Sequence, residues 1–399
     1  MKVFVVNCGS SSIKYKLFDM TDESVLAGGT LERVGGEDSS LTHRVGQARH
    51  EAAVAAPDHR AGMKAILDVL VAPDTGVVGS VDAIDAVGHR VVHGGEKVSR
   101  PARVDESLIG VIKEQFAVSP LHNPPNLAGI EAAREAMPDT PNVAVFDTAF
   151  FATMPPKAYR YAVPESWYVE HGVRRYGFHG TSHRYVTART AELLGKPVDE
   201  VHLITTHLGN GCSMTAVAEG KAVDHSMGMT PLEGLIMGTR SGDIDPAVVH
   251  YMVSRGLSVE EINTTLNKKS GLLGLSGLSN DMRDLLEAWS QGNEKAQLAV
   301  EAFVHRVVKY VGSFRALLPA VDAAVLTGGI GENSVPVREM ICRALASLGA
   351  RFDPARNEAT VGGKAGPVTA DESALPVWVV PTDEERMIAR DTRAVVEGV

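Results

Sequence analysis

Two stretches of this chain, half its length apart, carry the same pattern. The first runs Val3-Phe4-Val5-Val6-Asn7-Cys8-Gly9-Ser10-Ser11-Ser12-Ile13-Lys14-Tyr15-Lys16-Leu17-Phe18-Asp19. An apolar run stops at Asn7, a small polar turn follows, and apolar residues then alternate with lysines. The second runs from Val201 through Thr205-Thr206-His207-Leu208-Gly209-Asn210-Gly211-Cys212-Ser213 to Ala218. Both read as strand, turn, strand. Each is followed by a third strand-like piece, Val25 to Val34 in the first case and Lys221 to His225 in the second. A repeat of this kind predicts a duplicated β-hairpin core facing one cleft.

The first turn has the chemistry of an anion site. Gly9 lets the backbone bend where a side chain would clash. Ser10, Ser11 and Ser12 gather hydroxyls and backbone N–H groups around one point, and Lys14 adds a cation. Such a turn suits a phosphate oxygen, although a hairpin with a solvated serine turn has the same local sequence.

Composition narrows the function classes. The chain has 399 residues, 44% hydrophobic and 22% charged, as in a globular protein of roughly two or three domains. The net charge of −10 and the lack of a basic block argue against sequence-independent nucleic-acid binding. Its 3 cysteines, Cys8, Cys212 and Cys342, are far apart and not in a metal spacing. They fit a reduced, cytoplasmic state. No apolar run approaches the roughly 20 residues of a membrane span, and Val3 to Val6 is too short for a signal-peptide core.

Further along, apolar spacing predicts helices over Pro57 to Val71, Asp105 to Phe116, Leu127 to Met137, Leu257 to Lys269, Asp281 to Ser290 and Glu294 to Leu317. Val81 to Gly95 reads as a strand running into a polar, glycine-rich end, and Asn142 to Asp147 as a buried strand ending on a carboxylate. Arg90 and Asp147 thus stand at strand ends, where open α/β sheets bind ligands. Alone, each also reads as an ion-pair arginine or a capping aspartate. Leu121-His122-Asn123-Pro124-Pro125-Asn126 reads as a loop because of its two prolines. Thr181 or Ser182 is expected to cap the helix to Leu194, which places His179 before it, on a different face from His183. The segment His225 to Asp245 is dense in glycine and holds Arg240. Val321 to Asn333 reads as a buried strand, a glycine turn and a helix from about Ser334, only partly like a dinucleotide fingerprint. Walker and HExxH patterns are absent. Thr382-Asp383-Glu384-Glu385 opens a final helix.

Together these residues resemble the acetate kinase family over essentially the whole chain. Asn7 to Lys14, His89-Arg90-Val91-Val92-His93-Gly94-Gly95, Phe146 to Phe150, Arg175 to His183, Met237-Gly238-Thr239-Arg240-Ser241-Gly242-Asp243 and Thr327 to Asn333 match its motifs in order. The resemblance implies an α/β fold with duplicated ribonuclease-H-like (actin-like ATPase) domains flanking a central cleft. The first domain would comprise 1–147 plus the returning helix 383–399, on the acid and phosphate side. The second, 148–382, would bind nucleotide and form a homodimer. The implied reaction is reversible, direct in-line transfer of the ATP γ-phosphoryl group to acetate with Mg2+, or Mn2+, giving acetyl phosphate and ADP.

By the same resemblance, Arg90, Asp147, His179 and Arg240 are catalytic, with Arg90 and Arg240 holding carboxylate and phosphoryl by their guanidinium forks. Asn7, Ser10, Ser12, Lys14 and His122 would bind phosphate, with Asn7 and Glu384 serving the metal. Lys14, His207, Leu208, Gly209, Asn210, Gly211, Asp281, Met282, Arg283, Gly329, Ile330, Gly331, Glu332 and Asn333 would hold the nucleotide. Val92, Leu121, Phe178 and Pro231 would form the pocket for the acetate methyl. Acetate is already ionised at neutral pH, so a base has no proton to remove. Asp147 is therefore expected to orient an arginine or the hydrated metal. Three residues depart from the family pattern: Phe151 where His is frequent, His225 where Thr is usual, and Asp383 where Asn is common. Asp383 adds a charge beside Glu384. Alternatives are a propionate or butyrate kinase of the same family, because one methylene changes binding by only about 1–3 kcal/mol. From another class comes an actin- or chaperone-like ATPase switch with a protein partner.

Overall fold

The computed structural model describes residues 1–36 and 38–399. The chain divides into two compact units, residues 1–152 with 383–399, and residues 153–382. Among the described residues no helix is long and apolar enough to cross a membrane. All three cysteines are free and buried.

The first unit is built on an eight-stranded sheet. Its strands are β1 (Lys2–Cys8), β2 (Ser12–Asp19), β3 (Ser24–Glu32), β4 (Ser39–Val45), β5 (Ala48–Val54), β6 (Ala86–Val91), β7 (Ala102–Arg103) and β8 (Asn142–Phe146). Their order is β5-β4-β3-β2-β1-β6-β8-β7. The predicted hairpin pairs β1 with β2 antiparallel, and β6 and β8 then add in parallel. Central β1 is covered on both sides. Phe4 and Val6 meet the helix His59–Val71 through Met63, Ile66 and Leu70, whereas Val3 and Val5 meet Ile388 and Ala389 of the final helix Glu384–Glu397. Such two-sided burial gives a near-continuous apolar run in place of alternation. At Gly88 an added Cβ would stand 2.3 Å from Thr392 Oγ1, so glycine there lets the final helix lie close on β6.

The second unit repeats the plan. Its strands are β9 (Leu203–Leu208), β10 (Cys212–Ala218), β11 (Lys221–His225), β12 (Ala323–Thr327), β13 (Gly366–Pro367) and β14 (Val377–Val379), in the order β11-β10-β9-β12-β14-β13. An antiparallel β9–β10–β11 meander is extended by parallel β12 and β14. The order and directions match β3-β2-β1-β6-β8, and each sheet ends on a short antiparallel strand. The duplicated ribonuclease-H-like fold is thus present in both halves. The long helix Glu294–Leu317 packs Phe303, Val307, Val311 and Phe314 into this unit's core.

Three local expectations change, and one hairpin is added. Asn123 to Asn126 is helix, not loop: the helix Asn123–Ala136 starts there with Pro124 and Pro125 in its first turn. N–H groups in a first turn have no intrahelical partner, so proline removes nothing. The helix Gly180–Leu194 has no Thr181 or Ser182 cap; His179 precedes it in left-handed conformation, φ 58°. Helix also begins directly after β12, over Gly328–Asn333, before a second helix Val335–Ala344. The hairpin β4–β5 has no counterpart in the sequence reading. Its outer strand β5 buries no residue, and β4 turns Ser39 and His43 inward beside Leu41, so neither strand shows apolar alternation.

Candidate active site

In the first unit, parallel pairing brings the carboxyl ends of β1, β6 and β8 side by side. Asn7 lies at the end of β1, Arg90 near the end of β6, and Asp147 directly after β8. Arg90 donates from Nη2 to Asp147 Oδ2 at 2.7 Å and from Nε to Oδ2 at 3.2 Å. Glu384, in the first turn of the final helix, has Oε2 3.8 Å from Arg90 Nε. Burial opposes the Arg90 charge, but Asp147 and Glu384 outweigh it and raise its pKa. Burial pushes the Glu384 carboxyl up to about 7; Asp147 and Glu385 add to this, while Arg90 and Lys14 oppose it.

The serine turn is braced from below. Gly9 N–H donates to Ser12 O at 2.8 Å, and a ring nitrogen of His59 lies 2.7 Å from Gly9 O. Ser10 is exposed, Ser12 half-buried, and Lys14 stands exposed across the ladder from Asn7. His122 precedes the helix Asn123–Ala136, Val92 is buried, and Leu121 is 54% exposed. Two residues missed in the sequence tie these ends together. Asn126 donates to Cys8 O and accepts from Val92 N–H, and Asn123 does the same with His93 O and N–H. The available signal was a pair of asparagines at helical spacing on an apolar face.

In the second unit the β9–β10 turn lies beside a cavity of about 710 Å³. Gly209, Asn210, Asp281, Met282, Arg283, Gly329, Ile330 and Asn333 line it, all from the nucleotide set, together with Asn280, Leu286, Ser334 and Pro336. Asn210 is held by Asn280 Nδ2 at 2.9 Å and by Gly238 N–H on its carbonyl. Asp281 caps its helix, and Arg283 forks back onto it. Glu332 turns inward: Oε1 accepts from the N–H groups of Gly328 and Thr382. Gly331 is buried beneath the loop. Fully buried Arg338, also missed, donates to the carbonyls of Glu332 and Asn357 at 2.7 Å each. That fixes the loop from behind.

The same turn meets His179 and Arg240. A Cβ built on Gly211 would lie 3.4 Å from both Arg240 Nη1 and His179 Nε2, so the guanidinium and this imidazole edge share one place. The His179 ring stacks on His207 at 4.5 Å. Contrary to the expectation of separate faces, His179 Nδ1 and His183 Nε2 both meet Ser213 Oγ, at 2.9 and 2.8 Å. Arg240 Nη1 donates to Pro231 O at 3.3 Å. Burial lowers the Arg240 pKa, and among the described residues it forms no salt bridge. Buried Phe178 donates its N–H to His225 Nε2 at 3.1 Å. Leu208 is buried under the turn.

The departures from the family pattern have local roles. Phe151 is a buried packing residue. Imidazole at 225 holds the Phe178 backbone. The Asp383 carboxylate caps the final helix through Arg386 N–H and pairs with Lys16 at 3.2 Å, so its charge is taken up there.

Two ribonuclease-H-like units, one with paired carboxylates and a serine turn, the other with a glycine-walled cavity and a half-buried arginine, define a phosphotransferase. The chain belongs to the acetokinase family, whose family model matches residues 2–390. Acetate kinase of Thermotoga maritima is 52% identical over 401 positions, covering 100% of both chains. The crystal structure of Porphyromonas gingivalis acetate kinase superposes with a TM-score of 0.94 at 47% identity, covering 99% of each chain. A propionate kinase from Francisella tularensis superposes with a TM-score of 0.93 at 39% identity, again over 99% of each.

The raised Glu384 pKa carries a stability prediction. In the unfolded chain this carboxyl titrates near 4.5, and in the fold near 7. The group therefore costs the wild type stability as pH rises from about 4.5 to about 7. In chelator, Glu384→Gln is expected to melt above wild type at pH 8, with the gap closing toward pH 4. Thermal melts across that range check it, and a gap independent of pH contradicts it.

Proposed function

We propose that this chain transfers the γ-phosphoryl group of ATP to acetate, reversibly, giving acetyl phosphate and ADP. Family membership gives the reaction class, and the observation that carries the reading is Arg240. A half-buried guanidinium that forms no salt bridge among the described residues, beside the Nε2 edge of His179, is built to receive an anion. Phosphoryl transfer needs positioning and charge stabilisation rather than a covalent protein step.

The residues divide by task. The cavity edged by the Gly209–Gly211 turn, Asp281–Arg283 and Gly329–Asn333 suits adenosine, with His207 and Leu208 carrying the turn. Arg240 and His179 would donate to the transferring phosphoryl and the acyl oxygens. Asn7, Ser10, Ser12, Lys14 and His122 suit phosphate oxygens. Arg90 would hold the acetate carboxylate, itself oriented by Asp147 through two N–H bonds. Val92, Leu121, Phe178 and Pro231 would accommodate the methyl group. The 1–147 plus 383–399 portion would thus be the acid and phosphate side, and 148–382 the nucleotide side.

The donor set fits Mg2+. Among the described residues no group of three or more His, Cys, Asp or Glu side chains is placed to hold a metal. Asn7, Asp147 and Glu384 offer only oxygen, and Mg2+ typically takes one or two carboxylates and keeps its waters. When bound it would neutralise charge on the phosphate oxygens. Asn7 and Glu384 would hold it, and its charge would return the Glu384 carboxyl to the ionised form.

A homodimer is supported by the helices Ala247–Ser254 and Val259–Lys268. The first buries none of its residues, and Tyr251 and Val259 are 63% and 67% exposed. A second copy of this face would cover them. Three buried, free thiols agree with a reducing cytoplasmic setting.

Three experiments test these assignments. With ATP and Mg2+, trapping acyl phosphate as hydroxamate is expected to show acetate faster than propionate or butyrate, with loss by about 100-fold or more in Arg240→Ala. ATP turnover independent of any acid overturns the kinase reading, and a longer preferred acid moves the substrate. Asp147→Asn is expected to lower kcat and change the Mg2+ dependence while both limbs of the pH profile stay; loss of one limb contradicts an orienting role. Sedimentation is expected to give a dimer that Tyr251→Glu converts to monomer, and a wild-type monomer contradicts the assembly.

A further inference from the structure

Ser213 has one hydroxyl proton and two imidazole partners. Its Oγ is 2.9 Å from His179 Nδ1 and 2.8 Å from His183 Nε2. If both nitrogens donated to it, its buried O–H would have no acceptor among the described residues, so one nitrogen carries a proton toward Ser213 and the other accepts from it. The chain continues inward, where His183 Nδ1 is 2.7 Å from Thr205 Oγ1. Thr205, Ser213 and His183 are fully buried.

The inner end sets the direction. Among the described residues Thr205 Oγ1 has no other hydrogen-bond partner. If Thr205 accepted from His183, its own O–H would be a buried donor with nothing to bond. Leaving a buried donor unmade costs more than leaving a lone pair unused. Thr205 therefore donates to His183 Nδ1. Burial, with His207 nearby, keeps His183 neutral, so its single proton is on Nε2 and is given to Ser213. The Ser213 O–H then donates to His179 Nδ1. That leaves the His179 proton on Nε2, the edge beside Arg240 Nη1.

We propose that Thr205, His183 and Ser213 are positioning residues that hold His179 in the tautomer with its proton on Nε2. This rests on the reading of His179 as a donor to the phosphoryl group. A neutral His179 of the other tautomer would present a lone pair to the phosphate oxygens and repel them. The surrounding titratable and charged groups agree with a neutral layer. His225 meets the His183 ring edge-on at 5.4 Å and accepts from Phe178 N–H, so its proton is on Nδ1. His207 stacks on His179, and the Arg240 cation beside Nε2 disfavours an imidazolium.

The test combines imidazole 15N spectra with kinetics. At pH 7.5 the wild type is expected to show His179 and His183 both protonated on Nε2, and Thr205→Val to lose that fixed pattern at His183. Ser213→Ala is expected to lower kcat about tenfold or more, with KM for ATP and acetate within about threefold. Ser213→Thr, which keeps the hydroxyl, is expected to retain kcat within about threefold of wild type. A proton on His179 Nδ1 in the wild type overturns the proposal. So does Ser213→Ala with wild-type kcat when His179→Ala has lost activity. If His179→Ala itself keeps wild-type kcat, the reading of His179 as a phosphoryl donor fails instead.

Discussion

Parallel pairing at the centre of each sheet is the constraint on which the rest depends. A hairpin alone would leave its turn as a solvated loop. Adding β6 and β8 in parallel to β1 places three carboxyl ends side by side, so Asn7, Arg90 and Asp147 converge although 140 residues separate the first from the last. The same addition of β12 and β14 to β9 sets the glycine helix after β12 next to the β9–β10 turn. Each parallel step needs a crossover, and the helix between β6 and β8 carries the braces Asn123 and Asn126, whereas in the second unit Ser182 and His183 lie on the helix that precedes β9.

Electrostatics distinguishes the two arginines. Arg90 is paired with a carboxylate that orients its fork, and Glu384 Oε2 lies 3.8 Å from its Nε. Among the described residues Arg240 has only carbonyl and thioether partners. A cation partly withdrawn from water and left this way costs stability. Such strain is expected where a ligand supplies the missing charge, and the lowered Arg240 pKa records that cost.

Much of the candidate site was legible because turns and strand ends have strong local signatures. Glycine and serine after an apolar run marked Gly9 to Ser12, and glycine spacing marked Gly209 to Gly211 and Gly328 to Gly331. The misread segments share another property. Pro124 and Pro125 look like helix breakers until their place in a first turn is known. The β4–β5 hairpin is hidden because Ser39 and His43 occupy inward positions that alternation reserves for apolar residues; His43 does so by bonding Tyr15 at 2.7 Å. Arg338 carried no signal at all, since a fully buried arginine satisfied by carbonyls looks like any surface arginine in the sequence.

By itself the sequence determined the duplication, the strand-turn-strand cores and the residue types at each turn, because these rest on periodicity and backbone preference within a dozen residues. Family membership followed from the ordered motifs. Which groups pair was decided only in three dimensions. That Asp147 takes Arg90 while Arg240 takes no carboxylate depends on contacts between residues far apart in the chain. So does the chain from Thr205 to His179, where the direction of every hydrogen bond follows from one buried hydroxyl and its single partner. Burial turns a weak local preference into a fixed proton position, and burial is a property of the folded chain.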